Sequence, residues 1–146
     1  MTETLTKTLT KTLTKQTKQL KSLKVYLAGP MSGYPEFNFP LFHSVTTELR
    51  KKGLDVFNPA GKDVEDYGEY FTKTEGYKTG NNTKQSEEVE SFNIRDVLAK
   101  DMAWICQHAD AICMLPGWER SKGATAELAL AKALGHIVMF WEPRND

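Results

Sequence analysis

One continuous stretch, residues 111–127, constrains the fold of this chain more than any other. Residues 111–115 are all apolar, which is typical of a parallel strand covered on both faces. A Pro-Gly pair ends the strand, and a helix is predicted to begin just after Ser121. The first turn of a helix exposes backbone N–H groups that favour a phosphate or a carboxylate. Ser121 and Gly123 therefore lie where such a ligand would bind.

Two predicted helices each carry an acidic residue on the side that should face the sheet. Glu127 falls within the apolar stripe of its helix, since successive helical residues are rotated by about 100°. Asp101 lies near the centre of a second stripe, formed by Ile94, Val97, Leu98, Met102 and Ile105. Acidic side chains are seldom buried unless they are paired. Either acid alone is equally consistent with a cap or a buried ion pair, but together they predict an acid/base or nucleophile pair, as in glycosidic cleavage.

The composition indicates one soluble domain. With 146 residues, 40% hydrophobic content and a net charge of +0, the chain can bury an ordinary core and has no basic excess that would favour nucleic acid. Its apolar runs are too short for a membrane span or a signal peptide, so we expect a cytoplasmic protein without a membrane partner. Cys106 and Cys113 are expected to be reduced core residues. No cluster has metal-ligand spacing, and His43, His108 and His136 are scattered, so neither a metal nor a cofactor is predicted.

Low-complexity and polar stretches flank and interrupt the regular elements. Residues 1–22 repeat Lys-Thr-Leu-Thr and are expected to form a flexible tail, with a marginal helix or partner-binding segment as the alternative. The folded domain is predicted to span residues 23–146, with a polar insertion over about 61–91. The insertion is too long for an ordinary connection, so it is interpreted as either a mobile lid or a disordered linker.

Strands and helices alternate along the folded domain. Strands are predicted at 25–28, 54–57, 111–115 and 137–141. The helices between them include one capped by Asn38 that ends at Gly53, one that carries Asp101 and one that carries Glu127. This alternation predicts an α/β domain with a flavodoxin- or Rossmann-like, doubly wound parallel sheet. Ligands of such sheets bind at the carboxyl ends of the strands, where residues 29–33 form the first loop.

Three segments carry a resemblance to a known superfamily: Tyr26-Leu27-Ala28-Gly29-Pro30-Met31-Ser32-Gly33, Asp101-Met102-Ala103-Trp104-Ile105-Cys106-Gln107-His108-Ala109-Asp110 and Ser121-Lys122-Gly123-Ala124-Thr125-Ala126-Glu127. They resemble the nucleoside 2-deoxyribosyltransferase superfamily, which includes base-exchanging transferases and deoxynucleoside 5′-monophosphate N-hydrolases. The overall likeness is greatest to an often phage-encoded branch that shares the Gly-Pro-Met-Ser-Gly and Leu-Pro-Gly-Trp-Glu segments. The resemblance covers about residues 24–140 without the insertion. It implies cleavage or exchange of the N-glycosidic bond of a nucleoside or nucleotide, by a homo-oligomer that is a dimer or larger.

The resemblance also implies roles for individual positions. Glu127 matches the nucleophile that attacks the anomeric carbon, Asp101 matches the acid that protonates or orients the leaving base, and Tyr26 matches the aromatic residue that positions the nucleophile. Ser121 matches a phosphate-contacting serine of the hydrolases. Phosphate or sugar is bound in the hydrolases at the position of Gly29, Met31, Ser32 and Gly33. The arginine in the first loop of the hydrolases and their C-terminal serine have no counterpart here, so the need for a 5′-phosphate stays open.

Further candidate ligand contacts each have a structural alternative. Trp118 is placed either to stack on a base or to cover the sheet edge. Asp110 would either bind a sugar hydroxyl or serve at the start of a strand, and Asn58 would either contact ligand or form an ordinary turn with the following proline. Arg120 and Lys122 would either hold phosphate or be solvated.

Two other functions remain open on the sequence. One is a non-catalytic module that binds or sequesters a nucleotide, which an assay for product formation distinguishes from an enzyme. The other is a phosphoribohydrolase of the cytokinin-activating type, because residues 116–127 are faintly similar to its glycine-rich loop and glutamate. The fuller glycine run of that family is absent here.

Overall fold

The computed structural model describes residues 23–65 and 94–143, and its centre is a four-stranded sheet in which paired strands run parallel. The strands are β1 (Lys24–Ala28), β2 (Asp55–Phe57), β3 (Ala111–Met114) and β4 (Ile137–Phe140), arranged in the order β2-β1-β3-β4. The helices are α1 (Phe39–Lys51), α2 (Ile94–Gln107) and α3 (Lys122–Ala133), and residues 59–65 are also helical. The predicted α/β fold with a parallel sheet is confirmed, with strand ends that differ by a residue from those expected.

Two apolar layers cover the two faces of the sheet, because alternate residues of a strand point to opposite sides. Val25 and Leu27 of β1 pack against α1, whose buried face includes Phe42, Val45 and Leu49. Tyr26 of β1 lies on the other face, against α2 and α3, whose buried residues there include Ile105, Ala124, Leu128 and Ala131. β1 and β3 are buried on both faces, which accounts for their nearly continuous apolar sequences.

The two central strands lead to opposite faces of the sheet. β1 is followed by α1 on one face, and β3 is followed by α3 on the other. Their loops meet, since a Cβ built on Gly117 would lie 2.5 Å from the Tyr34 hydroxyl and 3.2 Å from Cγ of Pro30. This reversal of connection is the topological switch point at which open α/β sheets form a ligand crevice.

The start of α1 differs from the sequence expectation. Asn38 stands before the helix as predicted, but its side chain does not cap it. Instead Asn38 has a φ of 62° and its Nδ2 donates to the Pro30 carbonyl at 3.0 Å. Glu36 and Phe37 also have positive φ values, of 54° and 53°. The Phe37 side chain in this left-handed turn is buried in the apolar layer that contains α1, and Asn38 links the turn to the first loop.

The structure also differs from the sequence predictions in the start of the insertion and in the exposure of single residues. The predicted polar insertion begins at about residue 61, but residues 61–65 belong to the helical segment 59–65. Ile94 and Cys106 of α2 are exposed, whereas Cys113 is buried in β3 as expected. The predicted tail and residues 66–91 of the insertion lie outside the described residues. In the part of the chain that the structure describes, no helix is both long and apolar enough to cross a membrane.

Candidate active site

The Tyr26 side chain joins the two helices that carry the predicted acids. It is 1% exposed, and its hydroxyl donates a hydrogen bond to Oε2 of Glu127 on α3. The charge of Asp101 on α2 also acts on this hydroxyl and, like that of Glu127, raises the pKa of Tyr26. The sequence predicted that each acid points inward, and the structure places both carboxyls near the Tyr26 hydroxyl.

Burial dominates the ionisation of this cluster. Glu127 is 6% exposed and Asp101 is 7% exposed. Desolvation raises the pKa of Glu127 to about 8, although the Tyr26 hydrogen bond opposes it, and the charges of Asp101 and Asp63 raise the pKa further. Desolvation raises the pKa of Asp101 to about 6 against the opposing effects of Tyr26 and Lys100. Both shifts favour the protonated form over the charged form, and the shift is the larger for Glu127.

Asp63 is a third buried acid that sequence reasoning did not assign to the site. It lies in the helical segment 59–65 and is 8% exposed, and its charge acts on Glu127. The segment follows Asn58-Pro59, a pair that is as typical of a helix start as of a turn. Ala60 and Asp63 are three residues apart and both buried, so they share one helical face. The helix-start interpretation of Asn58-Pro59 would have predicted this placement.

Two aromatic side chains complete this face of the site and were also missed. Phe57, the last residue of β2, stacks on Tyr26 with ring centroids 5.5 Å apart. Trp104 lies 4.8 Å from Phe57, again between ring centroids, and follows Asp101 by three residues on α2. Both are only partly buried, and both rings contact the ring of Tyr26. The spacing from Asp101 to Trp104 was the available signal.

The first loop divides into packed and exposed positions. A Cβ on Gly29 would lie 2.7 Å from Cβ of Leu115, so glycine is required there by the approach of β3. Met31 packs against the core on the α1 side. The Met31 carbonyl accepts from the Tyr34 amide at 3.1 Å, which forms a turn with Ser32 exposed and with Gly33 at a φ of 85°. Ser32 and Gly33 are thus the accessible members of the loop.

The start of α3 combines a cap with open space. The hydroxyl oxygen of Ser121 accepts from the Ala124 amide at 3.1 Å, which satisfies one of the first-turn N–H groups. A Cβ on Gly123 would meet nothing closer than the Ser121 hydroxyl oxygen at 4.0 Å. Neither packing nor backbone conformation accounts for glycine at this position.

Three of the other predicted ligand contacts have structural roles in the fold. Asp110 precedes β3 and accepts from the Lys24 amide at 3.0 Å, so it lies at the amino edge of the sheet, opposite the switch point. Asn58 caps the helical segment through the Ala60 amide at 3.0 Å, and its Nδ2 lies 3.0 Å from Nδ1 of His43. Trp118 packs partly buried against the core with its ring 6.0 Å from that of Phe140. Because Asp110 stands before its strand, its position was available from chain order.

The described residues contain no group of three or more His, Cys, Asp or Glu side chains arranged to hold a metal ion. Residues 23–140 match the family described as Domain of unknown function (DUF4406). The chain belongs to this family. The DUF4406 match runs from just before β1 to the end of β4, so it includes Tyr26, Asp101 and Glu127. A search of curated proteins finds no match to the chain.

Proposed function

We propose that this chain cleaves or exchanges the N-glycosidic bond of a nucleoside or a nucleoside 5′-monophosphate. The observation that carries the proposal is that two carboxyls, Glu127 and Asp101, are buried near the Tyr26 hydroxyl, which is hydrogen-bonded to Glu127. The resemblance of residues 26–33, 101–110 and 121–127 to the nucleoside 2-deoxyribosyltransferase superfamily supports it independently.

The proposed reaction uses the two carboxyls in different roles. The Glu127 carboxylate attacks the anomeric carbon, and the electron pair of the broken C–N bond goes to the leaving base. Asp101, in its acid form, donates a proton to that base, which prevents charge from accumulating on it. Water, or a second base, then displaces the Glu127 carboxylate from the sugar and gives up a proton to the Asp101 carboxylate, which results in hydrolysis or transfer respectively.

The site offers complementary surfaces for the parts of a nucleoside. The half-buried rings of Phe57 and Trp104 provide faces against which a base can stack. The open space at Gly123 and the exposed Ser32-Gly33 turn lie on the loops of the switch point. A sugar or its 5′-phosphate is proposed to bind there, near the first turn of α3. Three further properties stay predictions. The resemblance predicts a homo-oligomer and membership of the often phage-encoded branch, and the short apolar runs predict a cytoplasmic location.

A direct assay tests the proposal. The full chain is incubated with a panel of nucleosides and 5′-monophosphates, with and without a second free base, and free base and new nucleoside are separated by chromatography. Glu127→Gln is expected to abolish product formation, because the amide is nearly isosteric but is a poor nucleophile. Asp101→Asn should lower turnover and flatten the pH profile.

Asp110→Asn is the matched control, since it removes an acid at the opposite edge of the sheet and should leave turnover unchanged. Activity of Glu127→Gln within about tenfold of the parent would contradict the proposal, as would the absence of product from every substrate.

A non-catalytic nucleotide-binding module is the second candidate, and one observation favours it. Burial raises the pKa of Glu127 to about 8, which favours its protonated form, and a protonated carboxyl is a poor nucleophile. Calorimetry with the same panel distinguishes the two functions, since a binding module gives saturable heat without product.

A further inference from the structure

We propose that Asn38 is a positioning residue for the candidate site, because its side chain holds the first loop in the conformation that receives the ligand. The part of the proposal that concerns the ligand rests on the proposed function, whereas the fixing of the loop does not. Asn38 acts through the carbonyl of Pro30 and not by touching the ligand, so it adds to the residues assigned to the site above.

The first loop and the left-handed turn after it close on themselves through hydrogen bonds. The Tyr34 amide donates to the Met31 carbonyl at 3.1 Å, and the Phe37 amide donates to the Tyr34 carbonyl at 2.9 Å, so one turn follows another. Nδ2 of Asn38 then donates to the Pro30 carbonyl, eight residues earlier, at 3.0 Å. The bond from Asn38 therefore joins the two ends of a compact loop, a form that frequently carries function.

Backbone strain marks the turn that carries Asn38. Glu36, Phe37 and Asn38 have φ values of 54°, 53° and 62° in succession. Residues with a Cβ seldom adopt this region, and such strain persists only where the surrounding structure imposes it, as it often does at binding sites. Burial of the Phe37 side chain in the layer that contains α1 offsets part of the strain. The bond from Asn38 to Pro30 is a further stabilising contact, so the turn and the first loop hold each other in place.

Asn38 does not make the contact that its place in the chain predicts. An asparagine just before a helix commonly accepts a hydrogen bond from an amide of the first turn. The Asn38 side chain makes no such bond to α1, and its amide group is directed to Pro30 instead. The residue thus stabilises the position of the first loop in place of the end of the helix.

The loop that Asn38 fixes lies at the ligand crevice. A Cβ on Gly117, in the loop after β3, would lie 2.5 Å from the Tyr34 hydroxyl, so the two loops of the switch point touch there. Ser32 and Gly33 are exposed, and a Cβ on Gly33 would meet nothing within 4 Å. A loop that is already ordered does not have to be ordered when the ligand binds, which raises affinity. Asn38 is therefore expected to act on ligand binding and not on the reacting atoms.

Amide hydrogen exchange of the full chain, followed by NMR without any ligand, tests the fixing of the loop. Asn38→Gly permits the left-handed backbone, which glycine adopts freely, but removes the donor to Pro30. The Tyr34 amide should exchange about tenfold faster in this variant, because the loop opens more often. The Leu115 amide, which donates to the Ala28 carbonyl at 2.8 Å between the central strands, should keep its rate.

Asn38→Asp provides a second variant. Aspartate is close to asparagine in size and also tolerates the left-handed region, but its carboxylate cannot donate to the Pro30 carbonyl. Tyr34 exchange should accelerate here as in Asn38→Gly. Glu36→Gly is the matched control in the same turn, since it leaves the Asn38 donor in place and should not accelerate Tyr34 exchange. An unchanged Tyr34 rate in both Asn38 variants, or equal acceleration at Tyr34 and Leu115, would overturn the proposal.

Steady-state kinetics measure the consequence for the proposed reaction, with the nucleoside or 5′-monophosphate of the panel that is turned over fastest. Asn38→Gly should raise KM about tenfold with kcat nearly unchanged, because the loop contributes to binding and not to the chemical step. A purely structural role would lower the amount of active protein, which lowers apparent kcat and leaves KM unchanged. That result would reject the positioning role, and Glu36→Gly should keep the KM of the parent.

The two proposals fail separately. Faster loop exchange in the Asn38 variants with no product from any substrate would retain the fixing of the loop and reject glycosidic cleavage. Calorimetry with the same 5′-monophosphates would then measure the effect of Asn38→Gly on binding, and weaker binding supports the positioning role whereas equal binding rejects it. Product formation with Tyr34 exchange unchanged in both Asn38 variants would retain cleavage and reject the role of Asn38.

Discussion

At the scale of single residues, Glu127 makes the stability of the protein depend on pH. Its pKa is raised from 4.5 to about 8 in the folded chain, and that of Asp101 is raised from 3.8 to about 6. The folded state therefore binds more protons than the unfolded state between these values. The stabilising contribution of Glu127 is fully present below its unfolded pKa and is lost as the pH rises through the folded pKa.

Glu127→Gln should consequently flatten the dependence of unfolding free energy on pH. Because one pKa unit corresponds to about 1.4 kcal/mol, we expect the parent to lose at least that much relative to the variant between about pH 5 and about pH 9. Urea unfolding at both pH values measures the difference. Asp110→Asn is the control, and parallel pH dependences in Glu127→Gln and the parent would contradict the expectation.

Two glycines of the candidate site should respond differently to the same added methyl group. Gly29→Ala brings Cβ to 2.7 Å from Leu115 and is expected to destabilise the fold by about 1–3 kcal/mol. Gly123→Ala meets open space in the first turn of α3, so its stability should stay within about 1 kcal/mol of the parent or rise, while ligand binding weakens. Thermal unfolding measures the stability of both variants, and calorimetry measures ligand binding by Gly123→Ala. Equal destabilisation by the two substitutions would contradict the proposal that Gly123 leaves open space for a ligand.

At the scale of elements, the start of α3 has a structural role and a proposed ligand-binding role. Ser121→Ala removes the cap on the Ala124 amide and should cost about 1 kcal/mol without any ligand present. Ser121→Asp can still cap the helix, so it should retain stability, but its charge should repel a phosphate. Thermal unfolding, together with titration of a matched nucleoside and its 5′-monophosphate, measures both effects.

If the monophosphate binds about tenfold more tightly to the parent and this preference is lost in Ser121→Asp, the phosphate lies at α3. Equal affinities of the parent for both ligands would show that the site recognises only sugar and base.

The left-handed turn before α1 is the other element with a measurable cost. Glu36 is exposed and has a φ of 54°, a conformation that glycine adopts more easily than residues with a Cβ. Glu36→Gly should stabilise the protein by up to about 1 kcal/mol relative to Glu36→Ala, which removes the same charge but keeps the Cβ. Urea unfolding of the two variants isolates the conformational effect, and a less stable glycine variant would contradict the strain.

At the scale of the whole molecule, both apolar layers are seen within the described residues 23–65 and 94–143. β1 begins at Lys24, and the family match begins at residue 23. Deleting residues 1–22 should therefore leave the melting temperature and any activity nearly unchanged, because the repeat offers few apolar groups to bury. Calorimetric melting and light scattering test this, and a large fall in melting temperature or a change in oligomeric state would contradict it.

The alternating apolar segments were sufficient to predict the parallel sheet, since strands buried on both faces have a distinctive composition. Helical periodicity was likewise sufficient to predict that Asp101 and Glu127 face inward. It could not predict that both lie near one hydroxyl, because the separation of α2 and α3 and the height of Tyr26 on β1 depend on packing. The cap at Asn58 and the exposure of Cys106 were missed for a related reason. The local sequence does not distinguish a turn from a helix start at Asn58, nor does it show which side of α2 is covered at Cys106.

The sequence by itself determined which segments become strands and helices and which acids lie toward the sheet, because both follow from local periodicity and backbone preference. Only the tertiary structure decided that Asp63 approaches Glu127, that Asp110 lies at the opposite edge and that Gly29 must admit Leu115. These relations join residues distant in the chain. They arise from the order of the strands and the faces that the helices cover, which the periodicity of a single segment does not specify.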